Sequence, residues 1–297
     1  MLDFFAQLTV NALIAGSVYA LAACGMTLSY GLLKILNFAH GHLLMIGAYA
    51  FFFAFAELGL GFLASSIWTL GFSLLVTVVL FRIFIQPFLR YSFLLVLVTT
   101  LGLGYVFEAV VQLLFGAEVH AYPITRLSTS LQLGPVYFTT VQLIIVCASL
   151  LVLPLLAFIL HGTRVGRRVR AFSEHSEAAQ SLGLSFVRYQ YGVLIVSAFL
   201  ATGAGVLVAF DTNMYPTMGT TYTIKAFASM IVGGMGNLWG TIFGAYFLGF
   251  LETFGIGLEI GGVGLPASYK DAFAYVVVLL ILLLRPEGVF SPGRRRV

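Results

Sequence analysis

Long apolar runs, interrupted by short polar or charged clusters, dominate this sequence. Stretches without Asp, Glu, Lys or Arg cover residues 4–33, 35–56, 58–81, 91–107, 127–163, 189–210, 226–251 and 272–284. About 20 apolar residues cross a bilayer as a helix, and an ionisable residue at its centre costs about 2.5–3.5 kcal/mol. The pattern therefore predicts an all-α polytopic membrane protein that forms a single transmembrane domain over residues 1–297.

Two of these runs need adjustment to make helices. The run 127–163 is long enough for a span plus a loop, and we expect Gly134-Pro135 to open its helix and Pro154 to kink it. The last run is short, so we expect its helix to begin earlier, near Pro266.

Basic residues concentrate in the 161–188 loop, the 82–90 linker and the C-terminal tail. Their arginines are Arg82, Arg90, Arg164, Arg167, Arg168, Arg170, Arg188, Arg285, Arg294, Arg295 and Arg296. The positive-inside rule places all three segments in the cytoplasm, and counting back through the spans puts Lys34 inside and Asp3 outside. Arg126, Lys225 and Lys270 remain on the outer face. We therefore expect the N-terminus outside and the C-terminus in the cytoplasm.

This orientation requires an even number of crossings between the 161–188 loop and the tail, yet the apolar runs supply three. We resolve the mismatch by splitting the region 212–258 at Gly233-Gly234-Met235-Gly236-Asn237, so that a broken-helix hairpin runs in before the glycines and out after them. Broken helices are tolerated where other protein groups satisfy the freed backbone. The prediction is eight to nine transmembrane or partial helices.

Composition narrows the function. Of 297 residues, 60% are hydrophobic and 9% are charged, which excludes a soluble enzyme and a nucleic-acid-binding protein. None of the three lysines directly follows a glycine, as the lysine of a phosphate-binding loop does, so the sequence contains no such loop. It also contains no zinc-protease or nucleophile-elbow motif. His40 and His42 lack further ligands nearby, so we assign no metal, cofactor or catalytic residue. The protein is predicted not to be an enzyme.

Carboxylates within the spans are scarce. We expect Glu108 to reach the outer interface from a helix end, while Glu252 ends an apolar run. Ion-coupled carriers usually place acidic residues inside their spans. A path lined by neutral polar groups is therefore expected, which suits a neutral or zwitterionic solute.

The 161–188 loop is the largest polar insertion. Ser173 or Ser176 can cap a short helix, Glu174 and Glu177 suit its N-terminal end, and Gly183 can stop it in a left-handed turn. We expect its apolar residues, Ala178, Ala179 and Leu182, to share one face. That face could pack on the protein's own span ends, with arginines on lipid headgroups, or could dock into a cytoplasmic partner.

Glu177-Ala178-Ala179 followed by Gly183 resembles the E-A-A-x-x-x-G coupling motif of bacterial ABC-importer permeases. Further matching segments are Gly16-Ser17-Val18-Tyr19-Ala20-Leu21, Tyr30-Gly31, Asn37-Phe38-Ala39-His40-Gly41, Gly47-Ala48-Tyr49, Gly233-Gly234-Met235-Gly236-Asn237 and Arg285-Pro286-Glu287-Gly288. Together they resemble the LivH-type permease of the branched-chain amino acid importer over essentially the whole chain. Met235 and Asn237 differ from the residues usual in the glycine segment.

The resemblance implies a permease subunit of the bacterial cytoplasmic (inner) membrane that translocates leucine, isoleucine or valine. It also implies two cytoplasmic ABC ATPase subunits, a second homologous LivM-like permease or a second copy of the chain, and a periplasmic or extracellular solute-binding protein. ATPase coupling would then fall on Glu177, Ala178, Ala179, Leu182 and Gly183. The alternatives are a permease of the same family for urea, amides or other amino acids, and an ATP-independent channel or ion-coupled carrier.

Residues of the solute path are harder to assign. Asn37, His40 and Gly41 lie where a span begins, and we favour helix ties over solute contact for the two polar side chains. The glycines with the same two possible roles, helix packing or translocation path, are Gly233, Gly234, Gly236, Gly240 and Gly244. Of these, Gly236, Gly240 and Gly244 recur every four residues and are expected to line one helix face.

Overall fold

The computed structural model describes residues 2–122, 129–257, 269–285 and 288–290. Its helices are α1 (Leu2–Leu33), α2 (His40–Phe52), α3 (Phe62–Val79), α4 (Phe93–Phe115), α5 (Thr140–Gly162), α6 (Arg164–Glu174), α7 (Ser176–Ser181), α8 (Phe186–Thr212), α9 (Met218–Gly233), α10 (Leu238–Gly257) and α11 (Lys270–Leu284). Wider π-type turns extend α2 over Phe53–Glu57 and α3 over Leu80–Ile85, and a 3₁₀ turn covers Phe88–Arg90. Arg126, Pro266, Pro286, Glu287 and Arg294 to Arg296, on which some predictions fall, lie outside the described residues.

The all-α polytopic membrane fold is confirmed. Within the described ranges, five helical segments are long and apolar enough to cross a membrane: Asp3–Leu33, Phe62–Ile85, Phe93–Phe115, Thr140–Gly162 and Phe186–Thr212. The pair α9 and α10 passes the same criterion jointly but is bent by 120° at its break. The count of eight to nine crossings stays a prediction.

Two ends of the helix bundle can be told apart by their contacts. At one end, which we call the arginine face, α6 contacts the end of α1 through Lys34 Nζ and Ser173 Oγ (3.4 Å), and Tyr191 donates to Gln86 (3.5 Å). The 82–90 linker and Lys34 thus share this end with the 161–188 loop, as the charge pattern predicted. The opposite end is the strand face, where Gln7 Nε2 donates to the Tyr137 carbonyl (2.9 Å).

The hairpin predicted near 212–258 is present, with its break at the predicted glycines. The chain enters it on the strand face, where the backbones of Met214 and His120 pair in both directions at 2.9 Å. Helix α9 ends at Gly233 beside the arginine face, and α10 returns until Phe254 stacks on Phe5 (6.5 Å). Both helices therefore run between the two ends of the bundle.

Residues 130–139 form a β-hairpin that the sequence analysis did not predict. Strand β1 (Ser130–Leu133) pairs antiparallel with β2 (Val136–Thr139), and Gly134-Pro135 forms the two-residue turn. The prediction that Gly134-Pro135 opens a helix is therefore wrong. Helix α5 starts five residues later because Thr139 and Gln142 form a capping box. Pro154 lies inside α5, which continues to Gly162.

Burial separates a packed centre from a lipid-facing rim. Small residues of α1 such as Ala20, Ala23 and Cys24 are fully buried, and they let neighbouring helices approach closely. Helices α3, α4 and α5 instead turn large apolar side chains outward, including Leu63, Ile67, Leu113, Leu150 and Leu151. The centre of the bundle is thus formed by α1, α2, α8, α9 and α10, and the other helices shield it from lipid.

Candidate functional site

The 161–188 loop folds into two helices rather than the single short helix expected. Thr163 caps α6 by accepting from the Gly166 backbone N–H (3.2 Å), so the arginine cluster is itself helical. Phe172 is buried and packs on Phe186 and Tyr189, with ring centroids 5.4 and 5.3 Å apart. The loop is therefore held in a defined position against the start of α8.

Helix α6 is also tied to α1. Ser173 Oγ donates to the Gly31 carbonyl (2.6 Å), which lies in the last turn of α1. Arg168 donates to the Tyr189 hydroxyl (3.0 Å), which adds a second link to α8. These bonds join α6 to two long helices of the bundle.

Helix α7 ends as the motif predicted. Gly183 adopts φ +80°, with its N–H bonded to the Gln180 carbonyl (2.9 Å) and the Leu184 N–H bonded to the Ala179 carbonyl (3.3 Å). This pair of bonds is the Schellman motif that closes a helix through a left-handed residue. The first residue of α7 is Ser176, and His175 precedes it without a side-chain cap.

The apolar residues of the motif do not share one face, which corrects the prediction. Ala179 is 3% exposed and belongs to the protein's own core, whereas Ala178 and Glu177 are exposed and Leu182 is 82% exposed. The reason is that Leu182 has already left α7 and lies at its C-terminal cap. Ala179 thus anchors α7 to the bundle, and Glu177, Ala178 and Leu182 face away from it.

The glycine break, residues 234–237 between α9 and α10, lies beside the 161–188 loop. A cavity of about 350 Å³ separates them on the arginine face, lined by Thr27, Leu28, Gly31, Leu32, Leu160, His161, Val169, Arg170, Ser173, Met235, Gly236, Asn237 and Leu238. Asn237 accepts from the Gly240 N–H (3.2 Å) and donates to the Phe290 carbonyl (3.0 Å). It therefore caps α10 and fixes the segment after α11 to the break.

The glycines of the break have two separate structural roles. Gly233, Gly240 and Gly244 lie where α9 and α10 touch, since a Cβ on Gly240 would overlap the Gly233 carbonyl and one on Gly244 would overlap the Ser229 carbonyl. Gly234 and Gly236 lie in the turn with φ of +95° and +85°. The expectation that Gly236, Gly240 and Gly244 line one helix face is therefore wrong for Gly236, which is outside α10.

Asn37, His40 and Gly41 are buried at the entry to α2. Asn37 Oδ1 accepts from the Ala39 N–H (3.1 Å), and His40 Nε2 donates to the Ala22 carbonyl of α1 (3.0 Å). A Cβ on Gly41 would overlap Thr223 of α9. The structure therefore brings α1, α2 and α9 together around these residues, away from the 176–183 segment.

Two buried charged groups were misplaced by the sequence analysis. Glu108 is 8% exposed rather than interfacial, and it accepts from Thr220 (2.5 Å) and pairs with His42 Nε2 (3.1 Å). Lys225 lies inside α9 rather than in an outer loop, because Glu252 (3.0 Å) and Asp271 (2.8 Å) neutralise it. Charge-free runs cannot reveal such pairs, because the partners are distant in sequence.

Within the described ranges, no three His, Cys, Asp or Glu side chains group closely enough to hold a metal ion. Cys24 is buried and Cys147 is exposed, and both are free thiols.

Comparison with known proteins gives consistent matches across the chain. Residues 8–282 match the family described as branched-chain amino acid transport system / permease component. The chain is 31% identical to the high-affinity branched-chain amino acid transport system permease protein BraD of Pseudomonas aeruginosa, over 97% of this chain and 96% of BraD. It is 28% identical to the LivH permease protein of Escherichia coli K12, with the same shares of both chains covered.

Two further likenesses are more distant. The ribose import permease protein RbsC of Escherichia coli is 33% identical over 43% of this chain and 40% of RbsC. The solved structure of PsaBC from Streptococcus pneumoniae in complex with Fab matches with a TM-score of 0.52 at 15% identity, over 96% of this chain and 92% of that chain. The latter likeness supports the fold alone.

Proposed function

Since the chain belongs to the family of branched-chain amino acid transport system permease components, we propose that it is the membrane subunit of an ABC importer for leucine, isoleucine or valine. Two separate ATPases bind its cytoplasmic side, a second permease or second copy completes the pore, and a binding protein delivers the solute. The arginine face is cytoplasmic, with the N-terminus outside, as the positive-inside rule requires. The membrane is the bacterial inner membrane.

The observation that carries this proposal is the exposed elbow formed by Glu177, Ala178 and Leu182, followed by the turn at Gly183. A groove in an ATPase can receive these outward side chains, while Ala179 holds the element to the permease core. The bond from Ser173 to Gly31 of α1 then passes movement of the elbow into the bundle.

As a mechanism, closure of the two ATPases moves residues 174–186 as a lever. The lever directly follows Ser173, which donates to the Gly31 carbonyl of α1 and lines the 350 Å³ cavity that faces the glycine break between α9 and α10. ATP contributes through its different affinity for the two arrangements of the bundle, so that access alternates between the two sides. The binding protein supplies most of the substrate specificity, which leaves the permease free to bind solute weakly.

His40 and Gly41 serve in this proposal to join helices, His40 through its hydrogen bond to α1 and Gly41 through its close contact with α9, whereas the side-chain bond of Asn37 is local, with the Ala39 N–H. Each interhelical hydrogen bond of this kind contributes about 0.6 kcal/mol in a membrane. The glycines Gly233, Gly240 and Gly244 bring α9 and α10 into backbone contact, and Gly234 and Gly236 form the turn. They shape the hairpin rather than contact solute.

The experiment is purification of the chain with its native neighbours in mild detergent, followed by reconstitution into proteoliposomes. We expect two ATPase subunits to co-purify, and ATP-dependent uptake of radiolabelled leucine to be competed by isoleucine and valine. Urea, glutamine and ribose serve as competitors of other chemical classes. Uptake by the chain alone under an ion gradient, without ATP, would contradict the proposal.

A further inference from the structure

The cavity of about 350 Å³ between the 161–188 loop and the glycine break has a mixed chemical lining. Its apolar side chains are Leu28, Leu32, Leu160, Val169, Met235 and Leu238. Arg170 and His161 supply basic groups, and no carboxylate belongs to the described lining. A cavity with cationic and apolar walls and no acidic group suits an anion that carries a hydrocarbon chain.

Arg170 retains hydrogen-bond donors for such an anion. Its side chain is exposed, and Nη2 donates to the His161 carbonyl (3.4 Å). None of the ion pairs between described residues involves Arg170. A guanidinium group presents five N–H donors in a planar fork and can bind a phosphate through two of them at once.

The cavity lies at the depth of lipid headgroups. Helix α6, with its arginines, directly follows α5, and the exposed Trp239 is next to the lining residue Leu238 on α10. Basic clusters and tryptophans are both typical of the membrane–water interface. Thr27, another lining residue, is about 9 Å from the end of α1 at a rise of about 1.5 Å per residue. Since each polar zone of a bilayer is roughly 5–7 Å thick, the cavity extends from the interface into the hydrocarbon region.

From these observations we infer that the cavity is a binding site for an anionic phospholipid. The phosphate lies on Arg170, and the upper part of an acyl chain lies against the apolar lining. The rest of the lipid lies along Phe158 and Ile159, which are exposed on α5 directly before the lining residue Leu160. Basic pockets between membrane helices are known to bind anionic headgroups.

The bound lipid links two parts of the molecule. One wall of the cavity belongs to the 161–188 loop and the opposite wall to the glycine break, so a lipid between them contacts both. Free leucine fits this cavity poorly, because its α-ammonium group would meet no carboxylate in the described lining. The inference goes beyond the proposed transport activity and does not depend on which solute is transported.

Photolabelling of the unaltered importer tests the inference directly. The complex is placed in phosphatidylcholine nanodiscs that contain a trace of phosphatidylglycerol with a diazirine on its acyl chain, and adducts are mapped by mass spectrometry. We expect adducts at Leu32 or Leu160. Excess unlabelled phosphatidylglycerol should lower these adducts several-fold more than adducts at Leu113, a lipid-facing residue of α4. Excess phosphatidylcholine should not do so.

The competitors distinguish the inference from other occupants. Equal loss of adducts in the cavity and at Leu113 would mean that only bulk lipid is present and would overturn the inference. Protection of the cavity by inorganic phosphate or ATP would overturn it in favour of a soluble anion. Protection by leucine would overturn it in favour of an amino-acid site.

A pair of arginine variants tests the role assigned to Arg170. Arg170→Gln should lower the cavity adducts several-fold. Arg167→Gln should leave them near the unaltered level, because Arg167 is an exposed arginine of the same helix that is outside the described lining. Equal labelling of the two variants would contradict a phosphate contact at Arg170. If Arg170→Gln does not assemble, the competition on the unaltered protein still decides the question.

A glycine variant tests the apolar part of the site. Gly31 lines the cavity, and a Cβ there would have open space around it. Gly31→Leu should therefore fill part of the cavity and lower adducts at Leu160 several-fold. Gly71→Leu in α3 is the matched control, since a Cβ at Gly71 also has open space and Gly71 is outside the described lining. Unchanged adducts in Gly31→Leu would show that the chain is located elsewhere.

Discussion

Ala179 and Leu182 are three residues apart in one motif, but Ala179 is buried in the protein core and Leu182 is exposed. Spacing alone predicted that they share a face, because the expected helix continued as far as Leu182. The real helix stops at Ser181, so tertiary packing decides which side chain is buried. The left-handed turn at Gly183, by contrast, was predicted correctly, since a glycine after a short helix is a local signal.

The exposed side chain of Leu182 gives a testable prediction about ATPase binding. It is 82% exposed on the elbow, so Leu182→Ala should remove apolar contact with an ATPase and weaken its binding by roughly tenfold, or about 1–2 kcal/mol. Val119→Ala is the matched control, because Val119 is 65% exposed and follows α4 on the strand face, away from the elbow. Titration of purified ATPase against nanodisc-bound permease measures both. Equal affinities for the two variants would argue against docking at the elbow.

Lys225 shows where residue-scale reasoning from the sequence was insufficient. A lysine between apolar runs was interpreted as a loop residue, because a lone cation in lipid is unfavourable. Its partners Glu252 and Asp271 are 27 and 46 positions further along the chain. Nothing local marks them as partners, so only the folded arrangement of α9, α10 and α11 reveals the pairing.

At the scale of elements, the chain's glycines and polar segments were informative about breaks but not about strand pairing. The break at Gly233 to Asn237 followed from the parity of crossings together with its cluster of glycines. The Gly134-Pro135 turn was equally visible, yet both a helix start and a hairpin fit it. The antiparallel pairing of Ser130 with Thr139 favoured the hairpin, and this pairing depends on the strands that flank the turn.

The contact between α9 and α10 gives a prediction for the hairpin. Gly240→Ala should force the two backbones apart, because the new Cβ would overlap the Gly233 carbonyl. Overpacking of this kind costs about 1–3 kcal/mol, which a lower thermal denaturation midpoint in detergent would report. Gly203→Ala in α8 is the control, since no atom lies within 4 Å of a Cβ at this position apart from the adjoining residues and the backbone of α8 itself. If both variants melt alike, close packing does not hold the hairpin.

For the whole molecule, composition alone was sufficient to predict the membrane class, and the clustering of basic segments predicted which connections share one end. Both follow from the cost of burying charge in lipid, which acts along the entire chain. The arrangement of helices around α1 did not follow from composition. Helices pack closely where the small residues of one fit the surface of another. Because glycines and alanines are numerous along this sequence, their positions alone do not show which helices are in contact.

In the proposed mechanism, the turn at Gly183 links ATP hydrolysis by separate subunits to movement of solute through this chain. A β-branched residue cannot easily adopt φ +80°, whereas asparagine tolerates left-handed conformations. Space is not the obstacle, because no atom beyond the two adjoining residues lies within 4 Å of a Cβ at this position. Gly183→Val and Gly183→Asn are therefore a matched pair that differs in backbone preference.

The decisive measurement is the number of leucine molecules imported per ATP hydrolysed by reconstituted importer carrying either variant. We predict that Gly183→Val assembles and hydrolyses ATP but imports several-fold less leucine per ATP, while Gly183→Asn stays near the unaltered ratio. An unchanged ratio in fully assembled Gly183→Val would contradict a role of this turn in coupling.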